Sequence, residues 1–240
     1  MLAMTLSPDL ATTTDTFDVP VNAPSSGRSV DQRLKAAAPR VLQAREHVFF
    51  EGDAKDHVYL VEKGTVCLYK TLSDGRRQIV DFAYPGDLIG LGVPGDHVFS
   101  AQAIGLTRLR SLPAGLLHDL AKHDPQVGMQ LYRALADQLL AARDLLLTVG
   151  QRNATERLAA LLLALSRRNE RNGADPTRIA LPMTRADIAD FLSLTIETVS
   201  RTFTKLRLCG MIDLVQSSLV VICDPAALER LASGEVQGAR

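Results

Sequence analysis

Residues 183–211 read MTRADIADFLSLTIETVSRTFTKLRLCGM, a run that divides into two short helices around a tight break. Thr184 suits an N-cap, and Asp187 three residues on can bond back to it, a capping box with Asp in place of Glu. Ile188, Phe191 and Leu192 supply the apolar side of the first helix, and Ser193-Leu194 make the break. Thr195 caps a second helix whose inward stripe is Val199, Phe203 and Leu206. At about 100° per residue, Glu197, Ser200, Arg201 and Thr204 lie on the other side.

That outer face carries the chemistry of base edges in a major groove. An arginine donates in a bidentate way to guanine O6 and N7, and a glutamate accepts from the cytosine amino group. Glu197 and Arg201 are four apart, so both can address one G·C pair. The plain alternative is a solvated i,i+4 ion pair worth ~0.2–0.5 kcal/mol. The surrounding two-helix unit favours base reading. The segment ADIADFLSLTIETVSRTFTKL resembles the helix-turn-helix of the CRP/FNR bacterial transcription regulators. The E-T-V-S-R run is similar to the FNR and FixK branch; the cyclic-AMP receptor branch has Arg where this chain has Ile196. The resemblance extends over roughly residues 38–231.

Arg201 is therefore assigned to guanine, Glu197 to its paired cytosine and Ser200 to a neighbouring base. Thr184, Arg185, Thr195, Thr198 and Lys205 are expected to position the phosphate backbone. The FixK-type branch implies a site of the form TTGA(T/C)-N4-(G/A)TCAA. It also implies RNA polymerase as a partner and activation of genes for low-oxygen respiration, denitrification or nitrogen fixation.

The 240 residues suffice for two modest domains, with 46% apolar and 22% charged residues as in ordinary soluble proteins. Net charge is zero; residues 1–149 carry −2 and residues 150–240 carry +2, so charge alone does not point to nucleic acid. No apolar run approaches ~18 residues, and no basic segment precedes an apolar core at the N-terminus, so a cytoplasmic protein without membrane contact is expected. Three cysteines, Cys67, Cys209 and Cys223, fit a reducing compartment and show no metal-ligand spacing.

Residues 1–38, rich in Thr, Ser, Pro and Ala, read as a disordered extension, with a short helix near Val30–Ala38 as an option. FNR proteins hold a [4Fe–4S] cluster on cysteines in this region; here no cysteine precedes Cys67, so no cluster is expected. From Val41 to Leu112, turn signals recur every 9–12 residues between short β-rich runs, the texture of a sandwich, roll or barrel. Ser73-Asp74-Gly75-Arg76 is the strongest hairpin turn. The resemblance implies a cyclic-nucleotide-binding β-roll over 39–124, whose phosphate pocket needs an arginine and a glutamate. Gly90-Leu91 stands where Gly-Glu is expected, and Phe99-Ser100-Ala101 where Arg precedes Ser/Thr-Ala, so cyclic AMP is not expected to bind. His47, His57, His97, His118 and His123 form no H-x-H pair for a cupin-type metal site; they read as surface or loop residues, and no metal is assigned. Cys67 is expected to face the roll interior as a small hydrophobe.

Asp124-Pro125 opens a long helix, 125–151. Leu131, Leu135, Gln138, Ala142, Leu145 and Val149 alternate spacings of four and three, a seam for a parallel homodimer. A second stripe, Leu139, Leu140, Leu146 and Leu147, is expected to pack on the roll. After a hinge near Gly150, Asn153-Ala154-Thr155-Glu156 restarts a helix. Arg178–Leu181 can form a short strand, and MIDLV and LVVIC a wing after the helix-turn-helix (184–205), its Gln216-Ser217-Ser218 tip uncharged. The winged domain spans 152–225, with a short helix and tail over 226–240. Cys209, just beyond the reading helix, is a candidate for slow oxidation.

The expected fold is α+β: an N-terminal cyclic-nucleotide-binding-like β-roll, a long dimerisation helix and a C-terminal winged helix-turn-helix. The expected function is a homodimeric regulator that binds double-stranded DNA, with no cofactor and no catalytic residues. Two rivals are a regulator of the same fold gated by haem, a gas or a small molecule, and a β-roll enzyme with a vestigial DNA domain.

Overall fold

A computed structural model describes residues 37–216 and 218–234. The N-terminal extension before Ala37, the optional helix near Val30 and the tail from residue 235 lie outside the described residues.

Eight strands build the roll: β1 Pro39–Leu42, β2 His47–Phe49, β3 His57–Lys63, β4 Val66–Thr71, β5 Arg77–Ala83, β6 Leu88–Ile89, β7 Ser100–Ala103 and β8 Thr107–Pro113. They form two antiparallel sheets, ordered β1-β8-β3-β6 and β2-β7-β4-β5. Leu42, Val48, Val61, Val66, Ala101 and Leu109 fill the space between the sheets. Gly64 joins β3 to β4 at φ +88°, and a side chain there would collide with the Leu106 carbonyl and Thr107; only glycine fits this turn. The β4–β5 hairpin closes around Leu72–Arg76, with Leu72 N–H donating to the Arg76 carbonyl at 2.8 Å.

Alternation along β4 and β5 gives the second sheet two different apolar faces. Val66 and Ala83 point between the sheets. Cys67, Tyr69, Ile79 and Phe82 point the other way and join the core of the C-terminal domain. Cys67 is thus buried, but it does not face the roll interior as expected. The pleat places it on the outer face, against the helix-turn-helix. Burial pushes its thiol up to about 11, with Arg77 opposing and Asp187 reinforcing that shift.

Helix α1, Ala114–His123, was not anticipated from the sequence. Its Leu117, with Val127 and Leu131 of the next helix, packs on Val58 and Leu112 of the roll. Helix α2, Pro125–Gln151, starts on the Asp124 cap, which accepts from Gln126 N–H at 2.9 Å. Its two leucine stripes are placed differently from the expected assignment. Leu131 faces its own roll, and the exposed Gln138 donates to the Leu88 carbonyl of the roll at 3.0 Å. Leu145 and Val149 are half-buried on the same side. The stripe expected to cover the roll is instead open, with Leu146 73% and Leu147 59% exposed. The physical reason is angular: neighbouring stripes on a helix differ by about 100°, and spacing alone does not say which one meets the roll.

The chain then breaks at Arg152-Asn153 and enters α3, Ala154–Arg171, through an Asn153/Glu156 capping box. Strand β9 (Arg178–Ala180), helix α4 (Arg185–Leu192), helix α5 (Ile196–Leu208), strands β10 (Ile212–Gln216) and β11 (Leu219–Ile222), and helix α6 (Pro225–Ser233) complete the domain. The wing is a three-stranded antiparallel sheet, β10-β11-β9. Leu158, Leu162, Ile188, Leu192, Val199, Phe203, Leu206 and Leu228 form its core.

Candidate DNA-reading surface

The turn between α4 and α5 is held from several directions. Thr184 accepts from Asp187 N–H at 3.1 Å, and Asp187 accepts from Thr184 N–H at 2.9 Å, closing the capping box. Ser193 sits in the left-handed region at φ 53° and reverses the chain. Arg157 of α3 donates to the Leu192 carbonyl at 2.9 Å, satisfying an orphan acceptor at the end of α4. Thr195 then caps α5 by accepting from Thr198 N–H at 3.2 Å.

Val199, Phe203 and Leu206 are buried beneath α5 at 0%, 2% and 1% exposure. Glu197, Ser200, Arg201, Thr204 and Lys205 are all exposed, on the free side of the helix. The Glu197 carboxyl is held below its ordinary value by its own backbone N–H, then by the Thr195 hydroxyl and the Arg201 charge. It is an anionic acceptor at neutral pH. No ion pair among the described residues joins Glu197 to Arg201, and a carboxylate with about four lone-pair sites can still accept from another molecule beside its local bonds to its own N–H and to Thr195.

A cyclic nucleotide-binding domain profile matches residues 39–124, and a Crp-like helix-turn-helix domain profile matches residues 156–231. The chain is 43% identical to the nitrogen fixation regulation protein FixK of Bradyrhizobium diazoefficiens, over 78% of this chain and 79% of that one. The chain belongs to the CRP/FNR family of transcription regulators. FixK of Azorhizobium caulinodans is 38% identical over 89% of this chain and 86% of its own length. The solved structure of FixK2 from Bradyrhizobium japonicum superposes with a TM-score of 0.76 at 37% identity, covering 81% of this chain and 96% of that one.

In this CRP/FNR regulator, the residues assigned to DNA from the sequence fall into two groups. Glu197, Ser200, Arg201 and Lys205 share the open side of α5. The hydroxyls of Thr184 and Thr195 are already committed to capping. Thr184 Oγ1 lies 2.6 Å from Asp187 Oδ2, and Thr195 Oγ1 lies 3.0 Å from Thr198 Oγ1. Arg185 lays its guanidinium over the Phe203 ring, 3.5 Å from the centroid, and burial lowers its pKa. This contact ties the half-buried Arg185 side chain to the core residue Phe203. Cys209 is the exposed C-cap of α5. With Lys205 it lines an open cleft of about 500 Å³ beside Asn153–Glu156.

The histidines divide. His97 is buried rather than on the surface, stacked on Phe49 at 3.6 Å between ring centroids. His47 shares a hydrogen bond with the Tyr69 hydroxyl at 2.8 Å. Burial lowers the pKa of both, and Lys55 adds to the effect at His97. Among the described residues, no group of three or more His, Cys, Asp or Glu is placed to hold a metal ion. Sequence reasoning did not identify Arg157, or the roll residues that grip α4. A lone arginine on an amphipathic helix carries no mark of a partner 35 residues away.

Proposed function

We propose that this regulator acts as a homodimer that inserts two α5 helices into successive major grooves of a TTGA(T/C)-N4-(G/A)TCAA-like palindrome. One observation carries the reading: α5 buries the stripe of Val199, Phe203 and Leu206 while Glu197, Ser200 and Arg201 stand exposed together on its open face. Arg201 takes guanine O6 and N7, Glu197 accepts from the paired cytosine, and Ser200 bonds a neighbouring base. Ile196 is 49% exposed at the start of α5 and offers apolar contact to a thymine methyl.

Dimerisation supplies the geometry. Two-fold symmetry repeats the reading helix about 34 Å away, one turn of B-DNA. Tyr132, Leu135, Leu139, Ala142 and Leu146 follow one another at intervals of three and four along α2, and all five are exposed in the single chain. This row, rotated from the seam read in the sequence, is the face for the partner helix.

The reading also holds that DNA binding needs neither cyclic AMP nor a bound cluster. In support, Leu91 packs with the apolar cluster of Val58, Leu112, Leu117 and Val127, where a nucleotide-binding roll would place a glutamate. The relatives' names, nitrogen fixation regulation protein FixK, support control of nitrogen-fixation genes; contact with RNA polymerase is part of the reading through the family resemblance.

In-vitro selection of bound duplexes by the full chain tests the reading. A two-fold TTGA-containing logo with four spacer base pairs is expected. A logo without two-fold symmetry, or with TGTGA half-sites, overturns it.

A further inference from the structure

We propose that Arg77 is a positioning residue for DNA recognition: from the roll, it grips the first helix of the helix-turn-helix and sets the angle at which α5 meets its groove. The proposal rests on the DNA-reading assignment above.

The grip engages all three nitrogens of the guanidinium. Nη2 pairs with Asp187, Nε with Asp190 at 3.0 Å, and Nη1 donates to Gln102 Oε1 at 3.3 Å. Gln102 in turn donates to the Arg45 carbonyl at 3.0 Å, so the fork is braced from within the roll. Next along β5, Gln78 donates to the Asp190 carbonyl at 2.6 Å and accepts from Ser193 Oγ at 3.3 Å. Two consecutive roll residues therefore hold α4 at Asp187 and Asp190, and the turn at Ser193. The contacts leave the open face of α5 untouched.

This arrangement fixes an orientation and not merely an association. The C-terminal domain is joined covalently to the rest of the chain only at Arg152-Asn153, so its pose depends on what it leans against. The Phe82–Phe191 contact, 5.0 Å between centroids, and the burial of Ile79 and Cys67 hold the domain on the roll. Apolar contact is non-directional. A planar guanidinium shared between two carboxylates has a defined geometry, which a lysine cannot reproduce. Asp187 also closes the capping box, so the clamp acts on the rigid end of α4. In a dimer, that pose sets the distance and twist between the two reading helices. Lengthening the spacer by one base pair rotates one half-site by roughly 35° relative to the other.

The test measures binding of the full-length protein, by fluorescence anisotropy, to TTGAT/ATCAA duplexes with spacers of three to six base pairs and to a duplex with one half-site scrambled. Wild type is expected to prefer one spacer by about tenfold, because bivalent binding is lost when geometry forbids it. Arg77→Gln is expected to cut that preference at least severalfold while leaving single-half-site affinity within about twofold. Arg77→Lys should fall between the two. Asp190→Asn, which leaves the capping box intact, provides a second arm if Arg77→Gln lowers the folded fraction by circular dichroism. An unchanged spacer preference in both Arg77→Gln and Asp190→Asn overturns the proposal. So does an equal loss on all duplexes, single half-site included. If wild type favours no palindrome, the DNA-reading assignment fails first and takes this proposal with it.

Discussion

Arg201 and Lys205 lie one turn apart on α5, yet their expected roles differ in kind. Arg201→Ala should lose roughly 1–3 kcal/mol per half-site and relax the preference at one G·C pair. Lys205→Ala should weaken binding to all duplexes alike and lower the slope of log K against log salt by about one. Competition with singly substituted duplexes, run at several salt concentrations, separates the two; an unchanged base preference in Arg201→Ala would disprove the reading face. Asp81 offers a test of stability without DNA. Burial raises its carboxyl from 3.8 to about 6; the Phe82 N–H opposes this, Asp87 adds to it and Arg168 opposes it. The folded state holds this proton more tightly than the unfolded chain. Its contribution is therefore fully present below the unfolded value and lost as pH rises from about 4 to about 6. Asp81→Asn, whose Oδ1 can still accept from Phe82 N–H, should raise Tm at pH 7 and do little at pH 4. Equal shifts at both values would rule out this titration.

At the scale of elements, α2 shows why one apolar count can serve two interfaces. Val127 and Leu131 bind it to its own roll, while Leu139 at 51% and Leu146 at 73% exposure are left uncovered. A charge placed on the covered side disturbs folding, and one on the open side disturbs association. Leu139→Glu or Leu146→Glu should give a folded monomer with greatly weakened palindrome binding, whereas Leu131→Glu should lower Tm. Sedimentation equilibrium with circular dichroism decides this; full-strength dimers for both open-side variants would refute the proposed seam. The caps are local and were readable directly. Asn153 and Thr184 each precede an apolar-periodic run with an acidic residue three places on, and both close capping boxes in the structure.

Across the whole molecule, the core does not respect the boundary between the two profile matches. Ile79 and Phe82 of the roll share one cluster with Leu192, Val199 and Phe203 of the C-terminal domain. A second anchor, Arg168 to Asp87 at 3.0 Å with the guanidinium over Tyr84, ties α3 to the loop after β5. The two domains should therefore unfold together. Phe82→Ala removes a buried aromatic from their junction, with a cost of about 3–5 kcal/mol expected for such truncations. Calorimetry should show a single transition for wild type and a separate, lower one for the C-terminal domain in the variant. Two transitions already present in wild type would show the domains to be uncoupled.

What the sequence determined by itself was local. Helix caps, the break at Ser193, the buried stripe of α5 and the strand-and-turn rhythm of the roll are set within about ten residues, where propensity and periodicity act. The E-T-V-S-R run carried the family. What tertiary structure decided was which face each element turns to which neighbour. Cys67 faces the helix-turn-helix and not the roll interior, Leu131 and not Leu139 covers the roll, and His97 is stacked inside on Phe49. Arg77 meets Asp190 across 113 residues of chain. No spacing rule reaches that far, because such pairings depend on the relative placement of whole sheets and helices. That placement is set by burying apolar area, which is indifferent to sequence distance.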